Sequence, residues 1–294
     1  MSEHASWGFE EGNEIAPGRI VLKTIGGGNR YEVFLVWDET LFALGVAKVL
    51  RPDQAEEEKA LHDLGREVNA LESLAHPVLV RSFGAILDGP HPHVLIEHLE
   101  GPSLRRLIRR DGAIGIEQLL PLAAHVAGAL QYMANSGYVH LDVKPDNIVM
   151  GVPPRLIDLS ITRPLERAAK TDGPIGTDPY MPPEQCAGES AGSRIGPASD
   201  AWALGATLFH ALSGEKPFPG GSGDEGSERF PQLAQEPREL PSRTPEALRA
   251  LIAELLDRDP ARRPSCGEVV GRLEPMVAEL PRKISLTRRG AVGV

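Results

Sequence analysis

The sequence predicts an α+β fold, a strand-rich first part with one main helix followed by a larger, mostly helical part. Three observations predict it. Strand-like runs separated by turn residues fill residues 19–99, one helical stretch interrupts them, and from Ser103 onward the periodic segments are helical. The 294 residues suffice for one large domain or two smaller lobes around a sizeable core.

Residues 1–17 are acidic and end at Pro17-Gly18, so 1–18 read as an N-terminal leader, with Trp7 and Phe9 as candidates to pack on the fold. Residues 19–25 and 32–37 are strand-like around the turn Gly26-Gly27-Gly28-Asn29-Arg30. Glycine there lets backbone amides approach a phosphate. No helix follows the glycines at once, which speaks against a dinucleotide fold. A third strand, 41–50, carries Lys48 amid Val46, Ala47, Val49 and Leu50. Leu61, Leu64, Val68, Leu71 and Leu74 recur at helical spacing and predict a helix over 55–74, with Glu67 inside it. Glu56-Glu57-Glu58 and Glu72 form its solvated face.

Strands are expected at 80–87 and 93–99, joined by Asp88-Gly89-Pro90-His91-Pro92. His91 and His93 have no neighbouring Cys or carboxylate cluster and read as structural. Helices are expected at 103–110 and at 116–135, where Ser136-Gly137 ends the second. Short strands follow at 148–150 and 155–157, and residues 158–184 show no clear period. Residues 199–205 open a strongly apolar helix; 214–246 read as loops with a short helix near 227–235. Residues 245–256 and 265–280 are helical, and 281–294 form a basic, solvated tail with Arg282, Lys283, Arg288 and Arg289. No internal repeat is evident.

Lys and Arg total 31 against 41 Asp and Glu, a formal net charge of −10, which argues against a nucleic-acid partner. Cys186 and Cys266 are too few for a disulfide framework or a metal site, which points to a reducing cytoplasm. The N-terminus lacks the pattern of a signal segment. The longest apolar run, 119–130, is broken by Pro121 and His125, so no membrane span is expected.

The chemistry concentrates in residues 138–147, Tyr-Val-His-Leu-Asp-Val-Lys-Pro-Asp-Asn. Pro145 removes a backbone donor and disfavours the α region at Lys144, so the stretch is a loop. It offers a carboxylate (Asp142), an ammonium (Lys144) and an amide (Asn147), and Asp158 follows at the end of an apolar run. Together they make a phosphoryl-transfer kit.

This loop resembles the catalytic loop of the protein kinase superfamily, and the resemblance extends over residues 19–275. Gly26, Gly28 and Val33 match the glycine-rich loop, Lys48 and Glu67 its lysine–glutamate pair, and residues 176–184 the end of the activation segment. Arg263 matches the arginine that pairs with the closing glutamate, here Glu184. Asp200 matches the aspartate that anchors the catalytic loop. The arginine-rich composition resembles that of bacterial kinases of eukaryotic type, here in a soluble form, with a β lobe over 19–98 and a helical lobe over 99–280.

The resemblance implies an ATP- and Mg²⁺-dependent (or Mn²⁺-dependent) serine/threonine protein kinase, acting in bacterial signalling with autophosphorylation. Its partners would be protein substrates with Ser or Thr acceptors and, for autophosphorylation, a second copy. It assigns catalytic roles to Asp142, Lys144, Lys48, Glu67 and Thr177, and the metal to Asn147 and Asp158. Gly26, Gly27, Gly28, Val33, Val46, Lys48, Ile96, Glu97, Leu99, Ser103 and Val149 would hold ATP. Thr162 and Thr171 are the candidate phosphorylation sites of the activation segment.

Three positions depart from the pattern: Tyr31 replaces a glycine, Leu141 replaces arginine, and Asp158-Leu159-Ser160 replaces Asp-Phe-Gly. The first and the third support an alternative, a pseudokinase serving as a nucleotide-binding or scaffolding module. A small-molecule kinase of the same fold is the other rival, disfavoured by the full activation segment.

Overall fold

A strand buried on both faces reads as a nearly continuous apolar run, and Tyr31–Asp38 is such a strand in the computed structural model, which describes residues 5–171, 173–187 and 195–280. It is β3 of a six-stranded antiparallel sheet formed by β1 (Glu14–Ala16), β2 (Arg19–Gly27), β3, β4 (Ala43–Leu50), β5 (Ser82–Ile86) and β6 (His93–Glu97). The strand order is β1-β2-β3-β4-β6-β5. Helix α1 (Glu58–Ser73) is inserted between β4 and β5. It starts three residues later than its periodicity predicts, because Gln54 and Ala55 first close a turn on the Arg51 carbonyl.

One sheet face packs on α1 through Leu50, Leu64, Val68 and Val94, within a core that continues into the helical lobe. The other face carries Val21, Phe34, Val36, Ala47, Val49 and Leu95, covered by Ile15, Trp7 and Phe9. The supposed leader therefore belongs to the fold: it supplies β1 and the cover of the outer face.

The helical lobe contains α2 (Leu104–Asp111), α3 (Ile116–Asn135), α4 (Leu165–Ala168), α5 (Pro183–Ala187), α6 (Pro197–Ser213), α7 (Gly226–Arg229), α8 (Glu246–Leu255) and α9 (Cys266–Ala278). Ser103 caps α2 by accepting from the Arg106 amide (3.2 Å), Ser265 and Glu268 form a capping box on α9, and Gly214 ends α6 in the left-handed region. Almost every residue of α6 is buried, since α3 and α8 pack against it. Two small ribbons complete the lobe: β7 (Tyr138–Val139) with β10 (Arg163–Pro164), beside α3, and β8 (Ile148–Val149) with β9 (Arg155–Leu156), beside α2. Sequence periodicity missed β10 and α4, which are too short to show a period.

Among the described residues no helix is long and apolar enough to cross a membrane. The basic tail, 281–294, lies outside the described residues.

Candidate active site

The cleft between the lobes has a volume of about 340 Å³. Val33, Val46 and Ile96 of the sheet, Leu99 of the connecting segment and Val149 of β8 supply apolar walls. Ile25, Leu71, Val80, His98 and Ile157 also line it and were not singled out from the sequence. Ile25 and Ile157 could have been found, since each directly precedes a predicted site residue. Leu71 and Val80 look like ordinary core positions in the sequence.

Strand alternation puts Val33 and Lys48 opposite each other in the β3–β4 register, with Lys48 pointing into the cleft. Its Nζ donates to both Glu67 carboxylate oxygens at 2.9 and 3.0 Å and to Asp158 Oδ1 at 2.9 Å. Burial works against the ammonium, but the two carboxylates outweigh it and hold Lys48 protonated well above its ordinary range. Burial would likewise raise the Asp158 carboxyl; Lys48 wins and keeps it well below the usual carboxylate range. Tyr31 sits under this group, with the Lys48 ammonium 4.5 Å from its ring centre. Burial, then Glu67, pushes its phenol up to about 12.

The catalytic-loop residues converge as well. Asp142 Oδ2 accepts from Lys144 Nζ at 2.6 Å and Oδ1 from the Thr177 hydroxyl at 2.7 Å; Lys144 Nζ also donates to Thr177 Oγ1 at 2.7 Å. Asn147 Nδ2 donates to the Asp142 carbonyl and to its Oδ2 at 2.9 and 3.1 Å. Beneath them the buried Asp200 carboxylate accepts from the His140 and Leu141 amides, both at 2.8 Å. Asp158 and Leu141 are non-glycine residues at φ 66° and 69°. Backbone of this kind is sparsely populated and persists where its surroundings fix it.

The donor set fits a hard cation. Asn147 spends its nitrogen on Asp142, which leaves its oxygen, and Asp158 is ionised. No group of three or more His, Cys, Asp or Glu side chains able to hold a metal occurs among the described residues, and a cation held by Asn147 and Asp158 would need further oxygens from a ligand. Glu97 turns its carboxylate to Arg155 and the Arg81 amide, which leaves only its backbone for a ligand. Ser103 caps α2, and neither it nor Gly26, Gly27 or Gly28 is among the cleft-lining residues, although Ile25, which precedes the glycines, is. Gly27 is required there: a Cβ would lie 2.8 Å from the Tyr31 carbonyl.

Leu141 anchors an apolar cluster with Val139, Ala168 and Ile195, joined by Ile161, Leu165 and Ile175 of the activation segment. Gln185 Nε2 ties the same two strands of chain, donating to the Leu141 carbonyl at 3.0 Å and the Ile175 carbonyl at 2.5 Å. Gly176 lets them approach, since a Cβ would stand 2.9 Å from the Leu141 carbonyl. Thr171 accepts from Arg163 at 2.6 Å. Thr162 corrects the sequence expectation: it is fully buried, out of reach of any modifying enzyme. Glu184 and Arg263 form the expected pair, fully buried, at 2.6 and 2.9 Å. The imidazoles also find structural places. His91 lies against Trp7 and Phe9, and His93 is buried with Nδ1 on the His91 carbonyl.

Comparison with known proteins agrees with this geometry. The profile described as protein kinase domain matches residues 20–272. The chain is 32% identical over 262 residues to the probable serine/threonine-protein kinase PkwA of Thermomonospora curvata, covering 88% of this chain and 34% of that protein. It is 32% identical over 207 residues to the serine/threonine-protein kinase PknB of Mycobacterium leprae, covering 67% of this chain and 33% of that protein. The serine/threonine-protein kinases drp72 of Corynebacterium efficiens are 29% identical over 290 residues, covering 94% of this chain and 52% of that protein. The chain thus spans about a third of the length of PkwA and PknB.

Proposed function

The chain belongs to the protein kinase domain family, and on that premise we propose that it transfers the γ-phosphoryl group of ATP to serine or threonine hydroxyls of protein substrates. The observation that carries this reading is the Asp142 carboxylate, held by Lys144, Thr177 and Asn147 at the mouth of a cleft whose Lys48 is already paired with Glu67. Kinase catalysis depends chiefly on positioning and preorganised charge, and both are assembled here.

In this reading Lys48, oriented by Glu67, binds the α- and β-phosphates. Asp142 orients the acceptor hydroxyl and takes its proton, while Lys144 steadies the γ-phosphate and Thr177 fixes the carboxylate. Asn147 and Asp158 would hold Mg²⁺, which when bound neutralises phosphate charge and aligns the phosphates. The apolar walls exclude water and grip the adenine ring. A Lys at 144 and the segment around Thr177 favour Ser/Thr over Tyr acceptors. The PkwA and PknB names support the same class.

Incubation with labelled ATP and Mg²⁺, with mapping of phosphorylated residues, tests the reading. Wild type transfers label to Ser or Thr, and Asp142→Asn does not while its ATP affinity stays within a few-fold. Equal transfer by both proteins, or label on tyrosine alone, overturns it.

A further inference from the structure

The first described residues, 5–9, run across the outer face of the β lobe, and their contacts converge on two side chains, Glu32 of β3 and Arg51 just after β4. Glu32, itself buried, accepts from the Ser6 hydroxyl at 2.6 Å and the Trp7 amide at 3.0 Å. Arg51, whose side chain is 14% exposed, donates from Nη1 to the Ala5 carbonyl at 2.8 Å. The same guanidinium donates from Nε to the Gly28 carbonyl at 2.6 Å, and the Arg51 amide donates to the Arg30 carbonyl at 3.0 Å. One planar group thus bonds the N-terminal segment with one nitrogen and the glycine turn with another.

Glu32 completes the link from the other side, because it is the register partner of Gly27 in the β2–β3 hairpin. The segment is pinned at a third point: Trp7 Nε1 donates to the Leu50 carbonyl at 2.7 Å, one residue before Arg51. Its ring meets the edge of His91 at 4.6 Å, and Phe9 meets Phe34 at 5.7 Å. Neither Trp7 nor Arg51 lines the cleft, so neither touches a ligand there.

We infer that residues 5–9 form a clip that fixes the conformation of the glycine turn through Arg51 and Glu32, and so sets the affinity of the cleft for its nucleotide. Arg51 and Trp7 are positioning residues. A glycine-rich turn has the largest conformational entropy to lose when it closes over phosphates. A turn already held by Arg51 has lost part of that freedom before the ligand arrives, so less of the binding energy goes into ordering it. The inference rests on the nucleotide reading of the cleft given above.

The test uses the full chain as wild type, Arg51→Met, Trp7→Ala, their double variant, and Val269→Ala, which weakens the α9 core far from the clip. Calorimetric ATP affinity, steady-state kinetics, melting temperature and amide exchange at the glycine turn are measured on each. Arg51→Met and Trp7→Ala should each raise the ATP Kd and KM about fivefold with kcat within about twofold. The double variant should be clearly less than additive, because both substitutions cut one path. Exchange at Gly28 should speed up in both, with or without ATP, and Val269→Ala should lower the melting temperature alone. Unchanged turn exchange, or an ATP Kd that moves no more than it does in Val269→Ala, overturns the clip. A wild type that binds no ATP overturns the reading of the cleft and the affinity part of the inference, whereas the exchange result still decides whether the clip orders the turn.

Discussion

Both Asp142 oxygens are held, Oδ2 by Lys144 and Asn147 and Oδ1 by Thr177 alone, which leaves Oδ1 a lone pair for a substrate hydroxyl. A carboxylate so held is aimed before any substrate arrives. Thr177→Ala should therefore cost kcat at least about tenfold, with the ATP Kd unchanged. Thr171→Ala removes a half-buried bond from Arg163 and a 3.3 Å bond to the Arg167 carbonyl, both away from Asp142, and activity on an outside substrate should stay within about threefold, under ~1 kcal/mol. Parallel kinetics on the two variants check both outcomes. A Thr171→Ala loss of orders of magnitude with intact ATP affinity would show that a phosphate at this position does order the segment. At this scale the sequence was legible wherever chemistry needs one residue type at one place. Lys48, Glu67, Asn147 and Asp158, named from it, line one cleft in the structure and Asp142 bonds Asn147; the roles proposed for them admit few other residue types. Thr162 was misread because a threonine's burial depends on neighbours such as Leu159, whose carbonyl accepts from the Thr162 amide at 3.1 Å.

Among the elements, α5 and the loop before α9 are joined by the Glu184–Arg263 pair, reinforced by the Ser199 hydroxyl on Glu184 (2.8 Å) and the Ala198 carbonyl on Arg263 (2.9 Å). Both ions are wholly withdrawn from water, so removing one strands the other. Arg263→Ala should destabilise the chain by about 3–5 kcal/mol in denaturant titration. Glu184→Ala combined with it should cost much less than the sum. Long periodic elements were readable: α3 has the predicted bounds, and α6 follows from its apolar run. The strand β1 was not, because three residues beside a turn carry no alternation, and only the exposed edge of β2 gives them a partner. The pieces of the activation segment, β10 and α4, were hidden for the same reason.

The two-lobed molecule keeps imidazoles in places where they must be neutral. Burial lowers both His93 and His210 to about 4, against about 6.5 in an unfolded chain. Between those values the unfolded state binds protons that the folded state refuses, so stability is complete above about pH 6.5 and falls as pH drops towards 4. For His93 the loss reaches up to ~3 kcal/mol. Melting temperature measured across this window should fall, and His93→Gln with His210→Gln should flatten the slope. The division into a β lobe and a helical lobe was legible because period changes from two to 3.6 near Ser103. How the first residues lie on the sheet was not, since the groups they bond, the Glu32 carboxylate, the Arg51 guanidinium and the Leu50 carbonyl, are distant in sequence and belong to no motif. One feature of the helical lobe reaches beyond its stability. Around Leu141 the activation segment is held by methyl groups and a glutamine. Such a clamp carries no mark for an opposing phosphatase to erase. Under the proposed function, a segment docked by apolar side chains and one amide needs no added phosphate to reach this position.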